Sequence, residues 1–293
     1  MVAVESGNPL SGYLDAPRGV FSKARDENFP VASLLLPRDV RVSLMAIYGF
    51  ARLADDLGDE AHGDRLALLD QLETELDRAA AGQATDPVLQ RLSPVIRGMD
   101  LSLDPFRCLI EANRVDQHVT RYQRFDDLVG YCMLSAAPVG RLVLEVFGAS
   151  TAERIALSDR VCIGLQVVEH LQDVGEDAGN GRIYLPLEDL ARFGCREDDL
   201  LANSSGPALR GLVAMEVARA RALLADAVPL AATLAFRPRV AVAGFAGGGL
   251  AALDSIARAG NDVLGTRCRP SKPGLARRAL AALLAASLGR DGS

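Results

Sequence analysis

Two short acidic runs hold the residues in this sequence best suited to chemistry: Ala54-Asp55-Asp56-Leu57-Gly58-Asp59-Glu60 and Gln172-Asp173-Val174-Gly175-Glu176-Asp177. On a helix, Tyr48, Arg52, Asp55 and Asp59 fall within a stripe about 60° wide, and Cys162, Gln166, Glu169, Asp173 and Asp177 within one about 80° wide. Each stripe stacks two aspartates one turn apart, where like charges repel, in a segment otherwise rich in Leu, Val, Ile and Ala. A hard divalent cation would relieve that repulsion. Mg²⁺ takes oxygen ligands, few of them from protein, and completes its shell with water and phosphate oxygens. Two such helices facing each other could clamp a diphosphate through several cations. Arg52, three residues before Asp55, could meet the phosphate oxygens directly. A solvated acidic helix face is the better account of one such pair, and on spacing alone both readings stay open for the two.

Long helices are needed to bring such runs together, and the chain supplies them. Apolar residues recur at three- and four-residue spacing, and alternating strand patterns are nearly absent. Helices are expected over about 39–61, 64–81, 87–99, 105–122, 126–148, 151–178, 187–193, 207–235, 239–264 and 273–288. Pro138 and Pro229 should kink theirs, and 177–186, with Gly179, Gly181 and Pro186, reads as a loop. Residues 1–25, bearing Gly, Ser and Pro, read as a flexible lead-in to one all-α domain over 26–290, since no Gly/Ser-rich linker divides the rest. With 49% apolar and 24% charged residues among 293, the composition is that of a globular chain with a large core. A net charge of −6 excludes a general nucleic-acid binder.

Five cysteines without a C-x-x-C pair argue against a disulfide framework or a zinc site and for a reducing, cytoplasmic setting. The N-terminus lacks the basic start and apolar run of a signal peptide, and the apolar stretch 240–253 is too short to span a bilayer. No G-x-S-x-G, Walker loop or G-x-G-x-x-G is present. His62, His118 and His170 are isolated, and His170 falls off the polar stripe, as a packing or surface residue would. Gly244-Phe245-Ala246-Gly247-Gly248-Gly249 reads as a site of close helix packing.

Taken with Glu27-Asn28-Phe29-Pro30-Val31-Ala32-Ser33, Ile47-Tyr48, Tyr131-Cys132, Pro138-Val139-Gly140-Arg141 and Gly181-Arg182-Ile183-Tyr184-Leu185-Pro186, the acidic runs resemble the squalene/phytoene synthase family over about Asn28 to Arg269. The match is nearest the hydroxysqualene-forming, hopanoid-pathway branch, which acts on presqualene diphosphate. The resemblance implies an all-α, single-domain isoprenoid synthase fold of the class I terpenoid type, with a bundle around a central apolar cavity. It implies Mg²⁺, with Mn²⁺ as a substitute, held by Asp55, Asp59, Glu169, Asp173 and Asp177. Substrate contacts fall to Asn28, Arg52, Gln166, Gln172 and Arg182, and catalytic roles to Tyr48, Arg52, Tyr131 and Tyr184. Asp116 lies near a polar family position and ranks below the four aspartates. No NADPH is expected. The implied partners are a prenyl diphosphate, a peripheral contact with the inner face of the membrane, and pathway enzymes that supply presqualene diphosphate and reduce hydroxysqualene.

The chain departs from the family pattern at two positions. Glu169 stands where members usually carry Asn, adding a carboxylate to the site. Gln172 replaces the Arg common in head-to-head synthases, which favours a substrate with one diphosphate over two. A head-to-head condensing enzyme using farnesyl or geranylgeranyl diphosphate remains an alternative. So does a non-catalytic helical assembly factor, although a scaffold has no need of stacked carboxylates. Of the 38 acidic residues, eight sit in the two acidic clusters; the other 30 face 32 basic residues, so the negative excess belongs to those clusters.

Overall fold

Helix starts follow local chemistry in the computed structural model, which describes residues 36–266 and 268–288. The lead-in 1–25 and Asn28 lie outside the described residues. Helix α1 (Arg38–Asp59) buries Leu44, Ile47, Phe50, Leu53, Ala54 and Leu57 at helical spacing and carries the first acidic run in its last turns. Helix α2 (Arg65–Ala80) begins where the Asp64 carboxylate accepts from the Ala67 N–H. In α3 (Pro87–Met99) Asp86 accepts from Val88 and Leu89, and Pro87 occupies a position that needs no donor. There follow α4 (Asp104–Val115), α5 (Phe125–Ser135), α6 (Ala137–Val146), α7 (Ala152–Gln172), α8 (Val174–Gly179) and α9 (Leu187–Phe193). After a 3₁₀ turn at Glu197–Leu201 come α10 (Pro207–Leu224), α11 (Ala227–Thr233), α12 (Phe236–Arg258) and α13 (Lys272–Leu288). No strand occurs among the described residues; an isolated bridge joins Arg121 and Ile183.

Several expected helices are shorter or divided. The helix expected over 105–122 ends at Val115, because residues 120–123 turn their carbonyls to the loop before α9 and to its first turn: Thr120, Tyr122 and Gln123 accept from Ile183, Leu187 and Glu188 at 2.9–3.0 Å. The expected kink at Pro138 is a break between α5 and α6 at Ala136, where φ is −113°. The helix expected over 151–178 breaks at Asp173, whose φ of −110° and ψ of 12° leave the helical range. The one expected over 207–235 divides into α10 and α11, with Pro229 inside the second. The one expected to reach 264 stops at Arg258, after which Gly260 and Asn261 turn left-handed with φ of 64° and 59°.

Two large apolar clusters hold the bundle. One, built on α1 to α4, centres on Phe50, Leu69, Leu89 and Phe106; Phe50 meets Phe106 edge-on at 5.1 Å. The other joins α7 and α10 to α12 through Val167, Leu171, Leu212, Ala220 and Leu253. Helix α6 serves both, sending Leu142 and Val143 to the first and Leu144 to the second. A third cluster, from α4, α5, α7 and the loop before α9, gathers Tyr122, Tyr131 and Tyr184. The glycine run packs helix on helix as expected: a Cβ on Gly247 would stand 2.6 Å from the Ala279 nitrogen of α13. Helix α12 is long and apolar enough to cross a membrane by composition, and 67% of its most apolar window is buried. The cysteines form no disulfide.

A buried acid pair beside this core gives stability a pH dependence. Arg219 donates to Asp189 at 2.9 Å and to Glu216 at 2.5 Å, while its guanidinium lies 4.0 Å over the Phe125 ring. One arginine serves two acids that are 3% and 1% exposed, and desolvation pushes Glu216 up to about 8. Raised above its unfolded value, Glu216 contributes most below the ordinary carboxylate range and loses that contribution as pH climbs through 8. In urea titrations, Glu216→Gln should gain on the parent between pH 5 and 9, by at most about 1.4 kcal/mol per pH unit; a gap constant with pH would refute the shift. Phe50→Ala should cost about 3–5 kcal/mol in the same measurement.

Candidate active site

The end of α1 and the junction of α7 with α8 face each other across a cavity of about 280 Å³. Asp55 and Asp59 come from α1, Asn113 and Asp116 from the end of α4, and Tyr131 and Ser135 from α5. Opposite stand Gln166, Glu169, His170, Asp173 and Asp177, and the loop before α9 adds Arg182 and Tyr184. Apolar lining is confined to Leu109, Ala112 and the tyrosine rings. The expected apolar chamber is therefore largely a polar one in this part of the protein.

The electrostatics are those of crowded negative charge. Asp55 opens to the cavity's solvent, yet the surrounding protein holds its carboxyl up to about 6, even though Asn113 donates to it at 3.2 Å. Desolvation, then Asp173 and Glu176, push Asp177 up to about 7. Asp173 and Asp116 are raised as well, each chiefly by desolvation. Arg182 is the cation turned into this space; it donates to Asp59 at 2.7 Å.

Asp116 organises the aromatic wall. The Tyr131 hydroxyl donates to one of its oxygens at 2.7 Å and the Tyr184 hydroxyl to the other at 3.3 Å. The two rings lie 5.6 Å apart. His170 stacks on Tyr184 at 3.9 Å, with Gln166 at 3.5 Å from its Nε2. Burial takes this imidazole down to about 3, so its ring is neutral.

The five expected metal-binding carboxylates thus share one cavity with Gln166, Arg182, Tyr131 and Tyr184. Three expected residues do not line it. Arg52 turns to Asp56 at 2.5 Å and Glu60 at 3.1 Å, the nearer acids of its own helix. Gln172 donates to the Cys268 carbonyl at 2.7 Å, tying the end of α7 to the segment before α13. Tyr48 is half-buried on α1 outside the cavity lining. His170, expected to be a packing or surface residue, is buried but lines the site: on α7 it lies one turn after Gln166, at the edge of the polar stripe. Asn113 was not anticipated and Asp116 was ranked too low. Positions 109, 112, 113 and 116 share one face of α4, and that mixed face was the available signal.

The donor set can hold a hard cation. It is all oxygen, and burial raises its carboxyl groups, with neighbouring acids adding to the rise. Among the described residues no three acidic, histidine or cysteine side chains cluster tightly enough to enclose a metal by themselves. A cation here would be shared with ligand oxygens and water.

Such a bundle, with acidic turns facing across a cavity, is the all-α fold of isoprenoid synthases. The squalene/phytoene synthase family model matches residues 22–274. Hydroxysqualene synthase of Rhodopseudomonas palustris is 41% identical over 216 residues, which is 72% of each chain. The 15-cis-phytoene synthase of Synechocystis is 35% identical over 69% of this chain and 64% of its own. The crystal structure of a squalene synthase from Alicyclobacillus acidocaldarius superposes with a TM-score of 0.76 at 44% identity, over 83% of this chain and 95% of its own. The chain belongs to the squalene/phytoene synthase family.

Gly58 gives a sharp test of the site's packing. A Cβ there would stand 2.2 Å from the Asn113 side-chain oxygen, so alanine must displace the residue that holds Asp55. Gly→Ala in a helix ordinarily adds about 1 kcal/mol. Gly58→Ala should instead cost about 1–3 kcal/mol, read as a fall in denaturant midpoint; a gain would contradict the contact.

Proposed function

We propose that this chain is a hydroxysqualene synthase, converting presqualene diphosphate and water to hydroxysqualene and diphosphate. The observation that carries this is the facing of Asp55 and Asp59 against Glu169, Asp173 and Asp177 across one cavity, with Arg182 and a tyrosine wall between them. The similarity to the Rhodopseudomonas palustris protein and the absence of a cation at Gln172 favour a substrate with one diphosphate.

The five carboxylates would hold Mg²⁺, or Mn²⁺, which supplies positive charge for the departing diphosphate. Arg182, now on Asp59, is placed to exchange that carboxylate for a phosphate oxygen. The substrate's C–O bond breaks and its electron pair leaves with the diphosphate. The cyclopropylcarbinyl cation rearranges beside Tyr131 and Tyr184, whose ring faces favour positive charge and whose hydroxyls Asp116 fixes in place. Water then forms the new C–O bond to the allylic cation and gives up one proton. No electrons are gained or lost, so NADPH has no role in the step. The protein would act after an enzyme that makes presqualene diphosphate and before one that reduces hydroxysqualene, in the cytoplasm.

The test is incubation with Mg²⁺ and either presqualene or farnesyl diphosphate, without NADPH, followed by product extraction. Hydroxysqualene from presqualene diphosphate is expected. Product from farnesyl diphosphate alone would show a condensing enzyme, and no turnover or diphosphate binding would show a non-catalytic protein. Asp173→Asn should lower turnover at least about 100-fold with its melting curve unchanged; full activity would remove Asp173 from the metal set.

A further inference from the structure

The outer face of the α12–α13 hairpin carries apolar groups that the bundle does not use. Leu280 and Leu284, one turn apart on α13, are 57% and 58% exposed, and Phe236, at the start of α12, is 74% exposed. The close approach of Gly247 to Ala279 and the hydrogen bond from Ser255 to the Arg269 carbonyl make the two helices antiparallel, so the start of α12 lies at the same end of the hairpin as the last turns of α13. Large exposed apolar residues grouped on one element mark an interaction surface.

The charge around these residues selects the partner. From Val263 to Arg290 the sequence has six basic residues and no acid. Arg277 is 75% exposed, and exposed Arg237 adjoins Phe236. Of the six basic residues, Arg269 acts on Asp173 of the cavity, while Arg277 and Arg278 face Asp254 of α12, which serves Arg221 and Arg278 at 2.7–2.8 Å and lies 3.8 Å from Arg277. Positive charge is therefore left over beside the leucines. Apolar side chains flanked by arginines fit an anionic bilayer, where the leucines enter the headgroup boundary and the arginines meet lipid phosphates. The same hairpin is joined to the catalytic cavity, since Gln172 donates to the Cys268 carbonyl in the segment leading into α13.

We propose that the exposed face of α13, with the start of α12, is the surface by which this protein docks on an anionic membrane. Docking is peripheral: α12 remains packed in the bundle, and the contact is made by Leu280, Leu284, Phe236 and the arginines around them.

The sequence contains no tryptophan, so Leu284→Trp in the full chain installs a single reporter. Its emission should shift to the blue on adding phosphatidylglycerol/phosphatidylcholine vesicles and stay unshifted with phosphatidylcholine alone. In co-sedimentation with the anionic vesicles, Leu280→Glu/Leu284→Glu should bind at least about tenfold more weakly, and Arg237→Glu/Arg277→Glu should weaken binding by a further salt-dependent factor of about five or more per charge. Circular dichroism melting of each variant establishes that it is folded. The proposal is overturned if the folded variants sediment as well as the parent, if the parent stays in the supernatant with both vesicle types, or if light scattering shows a dimer that Leu280→Glu/Leu284→Glu dissociates, which would make the face a contact between copies. Binding is read without a turnover assay, so its failure is separable from failure of the proposed reaction.

Discussion

Mutual repulsion among carboxylates enclosed in one cavity is the constraint on which this structure turns. Two unit charges 4 Å apart repel by about 4 kcal/mol at the effective dielectric of a protein surface. Here Asp55, Asp59, Asp116, Glu169, Asp173 and Asp177 share a space into which Arg182 is the one cation turned among the lining residues. Burial raises the carboxyl groups of Asp55 and Asp177, and their acidic neighbours add to it. The bundle accepts it because the helices bearing these acids are fixed from behind: α1 by Phe50, Leu53 and Leu57, α7 by Val167, Val168 and Leu171. The apolar clusters thus hold together groups whose repulsion would otherwise drive them apart. That is what a site preorganised for a cation–diphosphate ligand requires.

The loop that carries Arg182 is held by the same logic. Its backbone is stitched to residues 120–123, and Arg121 reaches across to the Gly181 carbonyl at 2.6 Å and to Glu197. Arg182 and Tyr184 therefore enter the cavity from a braced segment. Asp116 then sets the tyrosine rings by accepting from both hydroxyls. A carboxylate that the family resemblance ranks below the four aspartates becomes the residue on which the aromatic wall depends.

The helices and the two acidic turns were legible in the sequence because both are periodic signals: apolar spacing for the one, i,i+4 aspartates for the other. Helix ends were less so. The stop at Val115 and the break at Asp173 come from tertiary contacts, the first from the loop before α9 and the second from the turn that admits α8. Those same departures moved the site. His170 lines the cavity from the edge of the stripe, one turn after Gln166, and at the break Gln172 turns to Cys268. Arg52 reads as a phosphate ligand by its place on the stripe, but its guanidinium pairs with Asp56 and Glu60. Asn113 goes unmarked and Asp116 ranks below the four aspartates in the sequence because polar residues on one short helix have no significance until the helix opposite is in place. Asn28 lies outside the described residues.

The site, its aromatic wall and the basic hairpin behind it describe a protein built to bring an anionic, water-soluble headgroup and a long apolar chain to one place. The central claim is that the carboxylates engage a diphosphate only through divalent cations. Isothermal titration of inorganic diphosphate into the protein, with Mg²⁺ and then with excess chelator, tests it most directly. The account predicts saturable binding in Mg²⁺ that disappears with the chelator. Diphosphate binding of equal strength without the metal would mean that arginines alone form the site, and would contradict it.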